Sequence, residues 1–210
     1  FQEIATRPGF RKDCCRLHTV GHDCSVGKML VSLELSRGLA KRGHDTHFVA
    51  TGQTGIMVSG AGLPIDCIKS DFVSGAVEQL VLQNQQHDIL VIEGQGSVAH
   101  PAYSAVTLGL LHGCQPHGLI FVFEAGRSAV GGMDHVQLPS LVVQRKLFET
   151  MAGIYQGCET IALAMNGRFL EPDKAKEHAE KVEDELNLPV IDVIRDGPDR
   201  LLDVAETFYH

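Results

Sequence analysis

No apolar run in this chain approaches the ~20 residues that a helix needs to cross a bilayer. A helical membrane span is therefore not expected. The opening residues Phe1-Gln2-Glu3-Ile4 lack the basic, apolar and small-residue succession of a signal peptide. Position 1 is not methionine, which reads as a removed tag or as the trimmed part of a longer chain. No Cys-x-x-Cys pair occurs among the cysteines at 14, 15, 24, 67, 114 and 158. That pattern supports neither a zinc site nor a thioredoxin motif, and no metal is expected. The thiols instead suit a reducing compartment, so a cytoplasmic location is expected. Basic residues are not in excess either, since the net charge is −8. That disfavours a general nucleic-acid binder, which needs a basic face. A small anionic ligand stays open, because the N–H groups of one loop can hold phosphate inside an acidic protein. The sequence has no internal repeat and no low-complexity segment.

What is present fits one α/β domain. The 210 residues are enough for a single packed core, and the 44% hydrophobic share is enough to fill it. Residues 1–15 are polar and irregular and read as a leader or linker, and 16–210 as the domain. Leu17-His18-Thr19-Val20 is a short β-prone run ending at Gly21. Residues 28–42 read as a helix with Met29, Leu30, Leu33, Leu35 and Leu39 on its apolar face. Further strands are expected at 46–50, 88–93, 119–123, 161–165 and 190–194, and helices at 72–86, 139–155, 173–186 and 198–208. Thr51-Gly52-Gln53-Thr54-Gly55 reads as a loop. The charged run from Asp173 to Glu185 reads as a solvated helix face.

Strands alternating with helices predict a three-layer α/β/α domain with a mainly parallel sheet. Its ligands belong at the carboxyl ends of the strands, in the loops after Val20, Ala50, Glu93, Phe123 and Met165.

The strongest motif follows the first strand. Gly21-His22-Asp23-Cys24-Ser25-Val26-Gly27-Lys28-Met29 leaves a strand and opens a helix, the setting of a phosphate-binding loop. Glycines let the backbone wrap an anion, successive N–H groups point at it, and Lys28 adds a full charge. Five residues separate the glycines rather than four, and Met29 stands where Ser or Thr holds Mg²⁺. Ser32 lies one helical turn too late to replace it. The loop thus keeps its anion-holding parts and loses a main metal ligand, which suits the nucleotide end of coenzyme A better than Mg-ATP.

The five-residue spacing resembles that of dethiobiotin synthetase and its P-loop relatives. A nearer resemblance is to a family long described as of unknown function and typified by D-glutamate N-acetyltransferase. The loop itself carries it, together with Glu93-Gly94-Gln95-Gly96-Ser97, His100-Pro101, Glu124-Ala125-Gly126-Arg127 and Leu188-Pro189-Val190-Ile191-Asp192. The resemblance runs from about Leu17 to the C-terminus. It implies a P-loop-NTPase-like fold and transfer of acetyl from acetyl-CoA to the amino group of a D-amino acid. Members of that family carry a preceding Rossmann-like domain, which is absent from this chain, and threonine at the position of His22.

Several residues near these loops are candidates for the chemistry. Glu93 ends a buried strand and reads as an acid that orients a water or metal, or as the base with a pKa raised by poor solvation, against the alternative of a carboxylate capping the following turn; the base is Glu93 or His100. His100, seven residues on, reads equally as a proton relay and as a loop histidine bonded to backbone. Arg127, with Glu124 beside it, is placed at the acceptor's carboxylate, against the alternative of a salt bridge between the two. Cys24 reads as a small polar filler, with an acyl-cysteine as the rival. Asn166 reads as a turn-former. Two other functions stay open: a Mg-ATP-dependent ligase or kinase of the dethiobiotin synthetase kind, and a nucleotide-binding module without turnover. The expected partner is a small molecule, with no nucleic acid or membrane, and a homo-oligomer is left open.

Overall fold

The computed structural model describes residues 1–209. Its elements run β1 (Cys15–Gly21), α1 (Lys28–Lys41), β2 (Thr46–Val49), α2 (Gln53–Ser59), α3 (Ser70–Asn84), β3 (Ile89–Ile92) and α4 (Ser104–Cys114). Then follow β4 (Gly118–Glu124), β5 (Ala129–Val130), β6 (Met133–Gln137), α5 (Leu141–Ala152), β7 (Glu159–Asn166), α6 (Pro172–Leu186), β8 (Val190–Ile191) and α7 (Asp199–Tyr209). Six strands form one parallel sheet in the order β2-β3-β1-β4-β7-β8. β5 and β6 form a separate antiparallel hairpin.

The sheet is parallel because each strand is apolar on both sides and needs a helix layer on each. Alternation along β4 shows the division. Ile120 and Val122 share a core with Leu35 of α1 and Leu202 of α7. Leu119, Phe121 and Phe123 face the other way, onto Phe148 of α5 and Val182 of α6. Leu90 and Ile92 of β3 meet Val77 of α3 and Leu110 of α4. The expected three-layer α/β/α architecture is the one that forms. The chain crosses β1 between β3 and β4, so the loop after β1 opens at the point where strand order reverses, where such sheets place their ligands.

Several elements differ from the sequence reading. Residues 53–59 form a short helix where a loop was expected, and α4 and the β5–β6 hairpin were not anticipated. The last strand stops at Ile191 rather than 194. Asp192 ends it, because its carboxylate accepts from the N–H groups of Gly167, Ile194 and Arg195 at 3.1–3.3 Å and turns the chain. Residues 1–11 hold no helix or strand but lie along α3. The N–H groups of Thr6 and Arg7 donate to the Glu78 carboxylate at 2.8 and 2.9 Å, and Arg11 reaches Asp88 at 2.7 Å.

The outer edge of β8 is closed by side chains. Val190 N–H donates to Glu183 Oε2 at 3.1 Å, and Arg200 donates to the Val190 carbonyl at 3.2 Å. Glu183 and Arg200 pair with each other at 2.6 Å. On α6 the charged run faces water, with Lys176 and Glu180 4.0 Å apart at i,i+4. Among the described residues no helix is long and apolar enough to cross a membrane.

Candidate phosphate-binding site

β1 hands the chain to the loop through Gly21, and His22 N–H still donates to the Val122 carbonyl at 3.0 Å. The backbone then turns left-handed at Ser25 (φ 56°) and Gly27 (φ 111°), which curls the intervening amides inward. Gly27 precedes the first turn of α1. No side chain caps that turn and no acid stands in it. The free amides and the positive end of the helix dipole therefore face the loop, an arrangement complementary to an anion.

Lys28 completes it. Its side chain is only 6% exposed, and Nζ donates to the Asp23 carbonyl at 2.8 Å. Two glycines make room for the stem. A Cβ on Gly21 would lie 2.9 Å from Nζ, and one on Gly94 would lie 3.1 Å from Cδ. Burial pulls the Lys28 pKa down to about 8. The lysine is thus held in place before any anion arrives, and an anion would restore its preference for the charged form.

The loop borders a cavity of about 650 Å³ lined by residues 24–30, 52–54 and 93–96 with Asp66, Tyr103 and Val106. Of the loop residues expected to bind, Cys24, Ser25, Val26, Gly27, Lys28 and Met29 line it, whereas Gly21, His22 and Asp23 lie behind it. Asp23 is fully buried, and its carboxylate accepts from Cys24 N–H and Gly131 N–H at 2.7 Å each. Burial alone would raise its pKa. Those two bonds and the Arg127 guanidinium outweigh burial and hold it below the usual carboxylate range. His22 is buried edge-on to Phe123, with neither ring nitrogen paired, and burial lowers its pKa to about 4.

Arg127 and Glu124 do not line the cavity. The guanidinium is shared among Glu124 at 2.8 Å, Asp23 at 3.0 Å and the Cys24 carbonyl at 2.9 Å. Arg168 takes the other oxygen of Glu124 at 2.7 Å. The geometry is that of the salt-bridge alternative: Arg127 braces the loop from behind through Nε and Nη1. Asn166 is a second brace, its amide donating to the Val26 carbonyl at 3.1 Å.

His100 is also off the cavity, 2% exposed. Its Nδ1 accepts from Ala102 N–H at 3.1 Å, which puts the neutral ring's proton on Nε2. Ligand atoms of Asp23, Cys24 and His100 lie within 4.8 Å of one another, a grouping that resembles a metal site. The donors do not fit one. A metal on Nε2 would need the proton on Nδ1, which faces the Ala102 donor, and Arg127 already neutralises Asp23. A Mg²⁺ at the loop fits no better. Met29 has no oxygen, and the Ser32 hydroxyl is buried between Thr19 Oγ1 at 2.7 Å and the Lys28 carbonyl at 2.8 Å.

Glu93 does reach the cavity. It is 3% exposed, and Oε2 accepts from Thr51 N–H at 2.9 Å and Gly52 N–H at 3.0 Å. Burial raises its pKa, and the two amides, Gln95 and Lys28 only partly offset this. The cavity therefore brings together a buried ammonium whose charge an anion would favour and a carboxylate whose pKa burial raises. The loops after Ala50 and Glu93, expected at the ligand edge of the sheet, line the cavity through 52–54 and 94–96, whereas Asp66, Tyr103 and Val106 were not anticipated. The contact of Gly52 and Gly55 with the buried acid is set only by the fold.

A family model described as "Domain of unknown function (DUF1611_C) P-loop domain" matches residues 3–202. A curated D-glutamate N-acetyltransferase from Pseudoalteromonas sp. is 37% identical over 200 residues, 95% of this chain and 60% of the relative. The crystal structure of a DUF1611 family protein from Anabaena variabilis superposes with TM-score 0.88 at 39% identity, over 98% of this chain and 62% of that one. The nucleotide-binding protein from Archaeoglobus fulgidus in complex with ADP gives TM-score 0.59 at 14% identity, over 94% of this chain and 88% of that one. That last likeness shows the fold alone. The chain spans about 60% of the length of the curated relative.

Proposed function

The chain belongs to the DUF1611 P-loop family, and from that premise we propose that it serves N-acetyl transfer, moving acetyl from acetyl-CoA to the amino group of a D-amino acid such as D-glutamate. The curated relative's name supports the reaction class. The observation that carries the reading is one cavity holding Lys28, the open first turn of α1 and Glu93, with methionine where a metal ligand would stand.

Acetyl-CoA supplies the acetyl group as a thioester, and transfer makes an amide N–C bond while the thioester C–S bond breaks. The loop amides and Lys28 hold phosphate through charge-assisted bonds. Glu93 takes the proton that the acceptor's ammonium must lose before its nitrogen can attack. As the amide forms, the nitrogen sheds its second proton, and the leaving sulfur takes up that proton and departs as a thiol. A carboxylate raised by burial is the better match for that task, and such a base contributes about 10²–10⁴-fold. His100 faces the loop's rear with its proton on Nε2, so the base role falls to Glu93. Arg127 acts as a brace for the loop. Six free thiols fit a reducing, cytoplasmic setting.

Calorimetry tests the donor. Acetyl-CoA should bind with or without Mg²⁺, and ATP with Mg²⁺ should bind more weakly. Thiol release should then appear with D-glutamate, and Glu93→Gln should lower kcat by about 100-fold while leaving the acetyl-CoA Kd nearly unchanged. Mg-dependent ATP binding without acetyl-CoA binding would give the site to the ligase reading. Acetyl-CoA binding without thiol release across D- and L-amino acids would give it to a regulatory module.

A further inference from the structure

The segment from Thr51 to Gly55 runs from the end of β2 into α2 and meets Glu93 mainly through backbone. Thr51 and Gly52 N–H groups hold Oε2, and the Thr51 hydroxyl donates to the Glu93 carbonyl at 2.8 Å. Gly55 lies inside α2, where alanine forms helix better by about 1 kcal/mol. Its φ is not positive, so backbone conformation does not call for glycine. The closest neighbours of a Cβ there all belong to Glu93. The three nearest heavy atoms are Oε2, Cδ at 2.9 Å and Oε1 at 3.2 Å, the first well inside contact distance. A Cβ on Gly52 would likewise crowd the Gln95 amide and lie 3.0 Å from Glu93 Oε1.

We propose that Gly55 is a positioning residue for the transfer reaction: by lacking a Cβ it admits the Glu93 carboxylate to the start of α2, where backbone amides fix one oxygen and leave the other to the cavity. This rests on Glu93 acting as the base. A side-chain tip is the cheapest thing to move, so alanine at 55 keeps the helix and shifts the carboxylate.

The test uses Gly55→Ala, Glu93→Gln and the double variant in the full chain. The first readout is the ¹³C NMR titration of the Glu93 carboxyl, which does not depend on activity. In Gly55→Ala its pKa should move by about half a unit or more. The second is acetyl transfer. Gly55→Ala should unfold no more easily than the parent, bind acetyl-CoA within about twofold, and lose about tenfold or more in kcat. That loss should vanish in the Glu93→Gln background. An unmoved titration overturns the proposal, as do losses that simply add in the double variant. Full transfer by Glu93→Gln overturns it through the base reading, and a titration that still moves identifies that reading as the one at fault.

Discussion

Arg127 Nη1 lies 3.0 Å from Asp23 Oδ2, a pairing in which the carboxylate is wholly buried and the guanidinium partly exposed. The pair ties the start of the phosphate loop to the turn after β4. Removing the arginine leaves a buried carboxylate with two amide donors and no counter-charge. Arg127→Ala should therefore cost roughly 3 kcal/mol, the lower end of the range for a broken buried pair. Arg127→Lys should recover little, because one ammonium cannot reach two carboxylates and a carbonyl together. Urea unfolding reads both. A raised acceptor KM with stability intact would instead return Arg127 to the substrate.

With acetyl-CoA as the proposed donor, its affinity should depend on alkaline pH through Lys28. Its pKa is about 8 in the free protein because of burial. A phosphate favours the charged ammonium, so the pKa rises on binding and the complex takes up a proton above pH 8. Affinity should be flat below about pH 8 and then fall by up to tenfold per unit. Calorimetry in buffers of different ionisation heat measures the proton uptake. Affinity unchanged up to pH 9.5 would separate Lys28 from the phosphates.

Acid should destabilise the fold before its carboxylates titrate. Burial lowers His18 and His22 to about 4, and burial with Arg16 nearby does the same to His117. The unfolded chain protonates these rings near pH 6.5, and the folded chain resists until about 4. Stability is thus full above 6.5 and lost between there and 4, at up to about 1.4 kcal/mol per unit for each of the buried rings of His18 and His22 and less for the partly exposed His117. Urea midpoints at pH 7.5 and 5 should differ clearly, and equal midpoints would contradict the buried neutral rings.

Met29→Thr tests why metal chemistry is disfavoured. A hydroxyl in the first turn of α1 restores the usual oxygen ligand. Mg-dependent ATP binding should strengthen by about tenfold while acetyl-CoA binding stays within about twofold. No gain would locate the exclusion in the committed Ser32 hydroxyl and Glu93 oxygen.

The sheet was legible because strands covered on both faces are nearly continuous apolar runs, as in 119–123 and 89–92. The phosphate loop was legible because its residues are adjacent in sequence. α4 escaped because Gly109 and Gly113 break its helical pattern. Four residues apart, they share a face against Val73, Ser74 and Val77 of α3, where a Cβ would collide. The surroundings of Arg127 were settled by Gly131, Asp23 and Arg168, which no local pattern links to it. The mixing of Thr51–Gly55 with Glu93 is long-range in the same way. Its glycines look like turn punctuation until the acid is seen beside them.

The margin of the sheet at β8 has a consequence for association. Glu183 and Arg200 fill the outward hydrogen-bonding positions of Val190, so another polypeptide has no template to copy there. Growth by strand addition is steered to the opposite border, at β2. Lengthening β8 by mutation would achieve little unless the ionic clasp were removed as well.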